Sequence, residues 1–130
     1  MTDSKRSLPL DNKKEQRVHG MLGFARRAGK TVIGTEQICI AMPKGKIRLV
    51  VISSSASDAT KKKLSVKSDF YKIPWVEVQI DTVSLGHMLG KESAVAAVAV
   101  TDERFAEEII KAGKDDFYGS NKGIADFERF

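Results

Sequence analysis

Residues 94–100 read Ala-Val-Ala-Ala-Val-Ala-Val, the longest unbroken apolar run in the chain. Seven residues are far too few to cross a bilayer, which takes about 20. They are the right length for a strand, and the absence of polar alternation means that both faces of that strand are covered. A second run, Leu49-Val50-Val51-Ile52, follows Arg48 and has the same character. Strands buried on both faces require layers on both sides of their sheet. This confines the chain to layered α/β architectures.

The segments between these runs supply the layers. Asn12 and Glu15 form a capping pair that opens a helix. Its inner face holds Val18, Met21, Leu22, Ala25 and Ala28, and Gly29 stops it. Thr31-Val32-Ile33 is a short strand ending at Gly34, and a second helix spans 35–42 before Pro43 and Gly45. Ser53-Ser54-Ser55 forms a turn after the strand 47–52. Ser57 or Asp58 caps a third helix, with Thr60, Leu64, Ser68 and Tyr71 inside and Lys61, Lys62, Lys63 and Lys67 outside. Ile73-Pro74 interrupts the chain before a strand over 75–80. Thr82 caps a short helix with Leu85, Met88 and Leu89 inward, and Gly90 ends it. After a loop at 91–93 comes the central strand at 95–100. Asp102 then caps a last helix with Phe105, Ile109 and Ala112 inward. The order αβαβαβαβα predicts a three-layer α/β/α sandwich around a mixed four-stranded sheet. The domain is expected at 12–112, after a flexible basic arm at 1–11. A mostly disordered tail follows at 113–130, ending in Phe127 and Phe130.

The formal charge is +5 and the isoelectric point about 9.4, but the distribution says more than the total. Residues 1–80 carry sixteen Lys/Arg against seven Asp/Glu, whereas 81–130 carry six against ten. A split of this kind suits a one-sided basic surface and a polyanionic partner, nucleic acid foremost. A solvated lysine-rich surface is the plainer alternative. The polar N-terminus has no signal pattern, and a single cysteine, Cys39, excludes an internal disulfide. A cytoplasmic protein, not membrane-bound and monomeric when free, is the expectation.

Tests for enzyme chemistry fail. Gly29-Lys30-Thr31 ends like a phosphate-binding loop, but five residues rather than four separate Gly23 from it, and a helix rather than a strand precedes it. Only three residues separate Gly86 from Gly90-Lys91, and Glu92 stands where Ser or Thr is required. Cys39, flanked by Ile38 and Ile40, reads as a small buried hydrophobe. His19 and His87 have no clustered ligands beside them, and Asp115-Asp116 are adjacent and point apart. No catalytic residue, metal site or cofactor is expected.

Gly34-Thr35 opens the second helix, with Glu36 and Gln37 in its first turn. Backbone N–H groups at a helix start attract anions, and polar side chains there reach base edges. The alternative is that Thr35 and Glu36 only cap the helix and complement its dipole.

Several stretches taken together carry a resemblance. They are V-H-G-M-L-G-F-A-R-R-A-G-K at 18–30, Gly34-Thr35-Glu36-Gln37, the strand at 49–52, D-A-T-K-K-K at 58–63, L-G-H-M-L-G-K at 85–91 and A-A-V-A-V-T-D at 96–102. From about residue 18 to 112 the chain resembles the kink-turn RNA-binding ribosomal proteins of the archaeal large-subunit "L-seven-Ae" type, and among them the bacterial YlxQ-like ribosomal proteins. The resemblance implies an α/β/α sandwich. It also implies an RNA-binding edge that joins the second helix to the loop before the central strand. Carried over by position, that edge comprises Gly34, Thr35, Glu36, Gln37 and Ile40, then Lys91, Glu92, Ser93, Ala94 and Val95, with Ser57 and Lys61 beside them. Strong kink-turn binders have Gly-Ala-Asn-Glu followed three residues later by Lys. Here Glu36, Gln37 and Ile40 occupy the Asn, Glu and Lys positions.

The expected function is non-catalytic binding of structured RNA, ribosomal RNA included. In this reading Gly34 lets the backbone approach, and Gln37 and Glu36 read base edges. Ala94 and Val95 touch an unstacked base, while Arg26, Arg27, Lys30, Lys61 and Lys91 meet phosphates. A protein-interaction adaptor using the basic arm and the tail is the alternative.

Overall fold

The structure, a computed structural model, describes residues 9–113 and 119–120. Helix α1 spans Pro9–Arg27, strand β1 Thr31–Ile33 and helix α2 Thr35–Ala41, continued by a 3-10 turn at Met42–Lys44. Strand β2 (Leu49–Ser53), helix α3 (Asp58–Phe70) and strand β3 (Trp75–Val78) follow. Helix α4 (Thr82–Met88), strand β4 (Ala97–Val100) and helix α5 (Glu103–Gly113) complete the domain. A two-residue strand, β5 (Gly119–Ser120), adds to the sheet edge.

The sheet order is β1-β4-β2-β3-β5. Strand β4 runs antiparallel to both β1 and β2, β2 is parallel to β3, and β5 is antiparallel to β3. The mixed four-stranded sheet is therefore present, with the two apolar runs at its centre. Residue alternation sorts each strand between two layers. Leu49, Val51, Val76, Val78, Val98 and Val100 face the layer of α1, α4 and α5, meeting Leu22, Leu85, Leu89, Ile109 and Ile110. Val50, Ile52, Ala97 and Ala99 face α2 and α3, meeting Ile38, Met42 and Leu64. On that second face β4 offers only alanine methyls.

Several boundaries differ from the sequence reading. Helix α1 starts at Pro9 rather than Asn12, because proline at a first helical position lacks only an N–H that would be unpaired anyway. Residues 9–11 of the expected arm therefore belong to the helix, and 1–8 lie outside the described residues. Ala28 is exposed because α1 ends at Arg27, and Tyr71 is 38% exposed because α3 ends at Phe70. Asp81, not Thr82, caps α4, its carboxylate accepting the Ser84 N–H at 2.7 Å. Of the expected tail, Gly119–Ser120 pairs with β3, while 114–118 and 121–130 lie outside the described residues.

Candidate functional site

Strand direction decides which loops meet. The C-terminal ends of β1, β2 and β3 and the N-terminal end of antiparallel β4 share one edge of the sheet, since Ile33 pairs with Val98, Ile52 with Ala97 and Ser53 with Val78. That edge therefore gathers the start of α2, the loop after β2, the start of α4 and the end of the loop before β4. In open α/β sheets, ligands favour the carboxyl ends of strands.

Hydrogen bonds join these segments. The Gly34 N–H donates to the Ala97 carbonyl (3.1 Å), and the Ser53 N–H to the Ala96 carbonyl (2.9 Å). The buried Ser53 hydroxyl donates to the Ile80 carbonyl (2.6 Å), and the Thr82 N–H donates to Ser55 Oγ (2.9 Å). The Thr82 carbonyl in turn accepts the Val95 N–H (2.9 Å). Sequence reasoning took the serine run only as a turn. Its signal was a small hydroxyl residue at the end of a buried strand, where backbone groups need partners.

At the start of α2, Gly34 has φ 103° and ψ 142°, and no side chain caps the helix. Its first N–H groups lack intrahelical partners by geometry. Thr35 is half-buried, and Glu36, Gln37 and Ile40 are exposed, with Ile40 at 57%. Ile38 between them anchors α2 in the core. The polar first turn therefore faces outward.

The loop before β4 folds back along α4. The Lys91 N–H donates to the Gly86 carbonyl (2.8 Å), and a methyl group on Gly86 would run into the Ser93 carbonyl. Only glycine admits this close approach. Lys91, Glu92, Ser93 and Ala94 are exposed, but Val95 is buried at 6% in the core. The apolar surface contact expected of Val95 is thus unavailable in the free protein. Ala94 remains, and Val83, 70% exposed in the first turn of α4, joins the apolar surface without having been expected.

The cations divide. The Arg26 guanidinium lies against Gly90, where a methyl group would come within 2.7 Å of Nη2, so Arg26 reaches the start of the loop. Arg27 stacks over Phe24 at 4.9 Å on the outer side of α1. Lys30 is at the other end of β1, about 13 Å of extended chain from Gly34. Lys61 Nζ is 3.2 Å from Glu77 Oε2, with both side chains largely covered, so its charge already has a partner. Ser57 is the α3 cap, accepting the Thr60 N–H (3.1 Å) while donating to Thr60 Oγ1 (2.9 Å).

Cys39 is half-buried against the α2/α3 core, and His87 is exposed. Among the described residues no group of three or more His, Cys, Asp or Glu could hold a metal ion, and no helix is long and apolar enough to cross a membrane.

Comparison with known proteins gives a consistent picture. The RNA-binding protein YlxQ of Bacillus subtilis strain 168 is 39% identical over 90 residues, covering 69% of this chain and 88% of that protein. The large ribosomal subunit protein eL30 of Sulfolobus acidocaldarius is 30% identical over 88 residues, covering 68% and 85%. Among solved structures, a Bacillus halodurans protein of unknown function aligns with a TM-score of 0.68 at 33% identity, covering 74% of this chain and 95% of that one. The Giardia lamblia 15.5kD RNA binding protein shares the fold at a TM-score of 0.65 and 12% identity, covering 79% and 87%. Residues 16–110 match the family model itself. The chain belongs to the ribosomal protein L7Ae/L30e/S12e/Gadd45 family.

Proposed function

We propose that this protein is a non-catalytic, cytoplasmic RNA-binding protein that engages structured RNA, kink-turns and ribosomal RNA included, as a monomer. The observation that carries the reading is the convergence of the uncapped α2 start and the exposed 91–94 loop on one hydrogen-bonded sheet edge. The relatives named as RNA-binding or ribosomal proteins support it. Gly34 allows close backbone approach. Gln37 offers both an amide donor and a carbonyl acceptor to a base edge. Ala94 and Val83 supply apolar contact, while Arg26 and Lys91, at the start of the loop, meet phosphates farther from the edge. Arg27 and Lys30 extend the footprint further out. Lys61 contributes only if it leaves Glu77.

Fluorescence-anisotropy titration with a kink-turn RNA tests this. Gln37→Ala removes an exposed side chain and no core packing, so melting stays unchanged. A two-point base contact in DNA complexes is worth about 1–3 kcal/mol, so affinity falls by roughly 5- to 150-fold. Unchanged affinity would remove Gln37 from the interface.

A further inference from the structure

Helix α3 and its C-cap Tyr71 turn two adjacent rows outward, Lys62-Val66-Phe70 and Lys63-Lys67-Tyr71, each at i, i+4, i+8 spacing. All six are exposed, and Phe70 is the most exposed large apolar side chain described, at 76%. Residues 59–68 of the helix contain no carboxylate. Asp69, which follows, accepts the Trp75 indole N–H at 3.2 Å. Phe70 and Tyr71 meet edge to face, with ring centroids 5.0 Å apart and ring planes perpendicular.

The last carbonyls of the helix do not stand bare toward an approaching anion. Bare C-terminal carbonyls repel phosphate. Here the carbonyls of Lys67, Asp69 and Ser68 accept N–H groups from Tyr71, Lys72 and Ile73 at 3.0, 3.1 and 2.7 Å. Lys72 adopts φ 60°, the left-handed position where glycine usually closes a helix. The chain thus carries a cation at a backbone position that disfavours any side chain.

We propose that the Phe70 end of α3 is a second RNA site, one that takes single-stranded RNA. A base stacks on Phe70, and the flanking phosphates lie against Lys63, Lys67 and Lys72. An acidic peptide would answer the lysines alone. A nucleotide brings a planar π face and an anion together, which is the pairing this surface offers. The site goes beyond the sheet edge and does not depend on it. The 13 residues of α3 put about 20 Å between the Ser57 end, at the edge, and Phe70.

The test is anisotropy titration of the full chain with a labelled single-stranded oligouridylate. Phe70→Ala removes no core packing and should melt like the parent. It is expected to weaken binding by about 5- to 150-fold, the usual worth of one stacked base. Phe70→Trp should retain binding, and Phe70→Ala should leave the affinity for kink-turn RNA unchanged, which separates this site from the edge. Equal affinity for Phe70→Ala and parent would overturn the proposal. So would displacement of the oligonucleotide by oligoglutamate with equal ease from parent and Phe70→Ala, since charge alone would then suffice.

Discussion

Two glycines with different physical roles frame the candidate edge. Gly34 has open space around its Cβ position, so its requirement lies in the backbone, at φ 103°. Gly34→Ala is expected to cost about 1–3 kcal/mol in urea denaturation, the usual strain of that region. Gly86 has an ordinary φ, and its requirement is the Ser93 carbonyl crossing above it. Gly86→Ala should push the 91–94 loop away, weakening RNA binding more than its effect on melting implies. Gly34 was legible in the sequence because glycine between a strand and a helix marks a special φ. Gly86 was not, because its constraint comes from a loop that returns along the helix. Two exposed neighbours point the other way. Glu36 places a carboxylate, and Ile40 an aliphatic side chain, on the face proposed to meet RNA. Glu36→Asn and Ile40→Lys are each expected to tighten kink-turn RNA in the same titration. No gain from either would mean that the start of α2 is not at the interface.

At the scale of elements, apolar patterning and turn residues located the five described α-helices and the four main strands, and hydrogen bonds then moved their ends. Strand β4 begins at Ala97 rather than Val95 because the Val95 N–H goes to Thr82 instead of a strand partner. Caps show the same competition. Thr82 looked like the cap of α4, but Asp81 holds the Ser84 N–H. That hydrogen bond, with a further one from the Ser84 side chain, lowers the Asp81 pKa below its ordinary 3.8. A lowered pKa means that the folded state favours the ionised form. Its stabilisation is fully present above pH 3.8 and is lost as pH falls through the lower folded value. Asp81→Asn keeps the cap shape and removes the charge, so it should melt below the parent at neutral pH. The gap should close in acid below pH 3.8, and a gap constant with pH would assign the cap to shape alone. Helix α3 offers a contrasting case. Ser68 is fully buried, and its hydroxyl has no hydrogen-bond partner among the described residues. Ser68→Ala removes that unpaired group and improves helix propensity, so a gain of about 1 kcal/mol is expected in urea denaturation.

Over the whole molecule, charge is sorted by helix rather than by layer. Helix α3 carries Lys61, Lys62, Lys63 and Lys67 on one face of the sheet, whereas α5, on the other, carries Glu103, Glu107 and Glu108. The sequence revealed a basic first part and an acidic second part. It did not reveal that α3 and α5 lie on opposite faces while α1, with Arg17, Arg26 and Arg27, shares the α5 layer, because the layer of each helix depends on how the strands are ordered. An RNA approaching the molecule is therefore drawn toward the lysines of α3 and repelled by the glutamates of α5. Each phosphate neutralised should contribute roughly −0.7 to −0.9 to the slope of log affinity against log salt. Replacing Lys63 and Lys67 by alanine should flatten that slope for single-stranded RNA by about 0.7 for each phosphate contact removed. Replacing the exposed Glu103 and Glu108 by glutamine changes net charge by the same magnitude with the opposite sign but touches no phosphate. It should raise affinity uniformly and leave the slope unaltered. Equal slope changes from both pairs would mean that RNA responds to total charge rather than to one face, and the directional reading of the surface would fail.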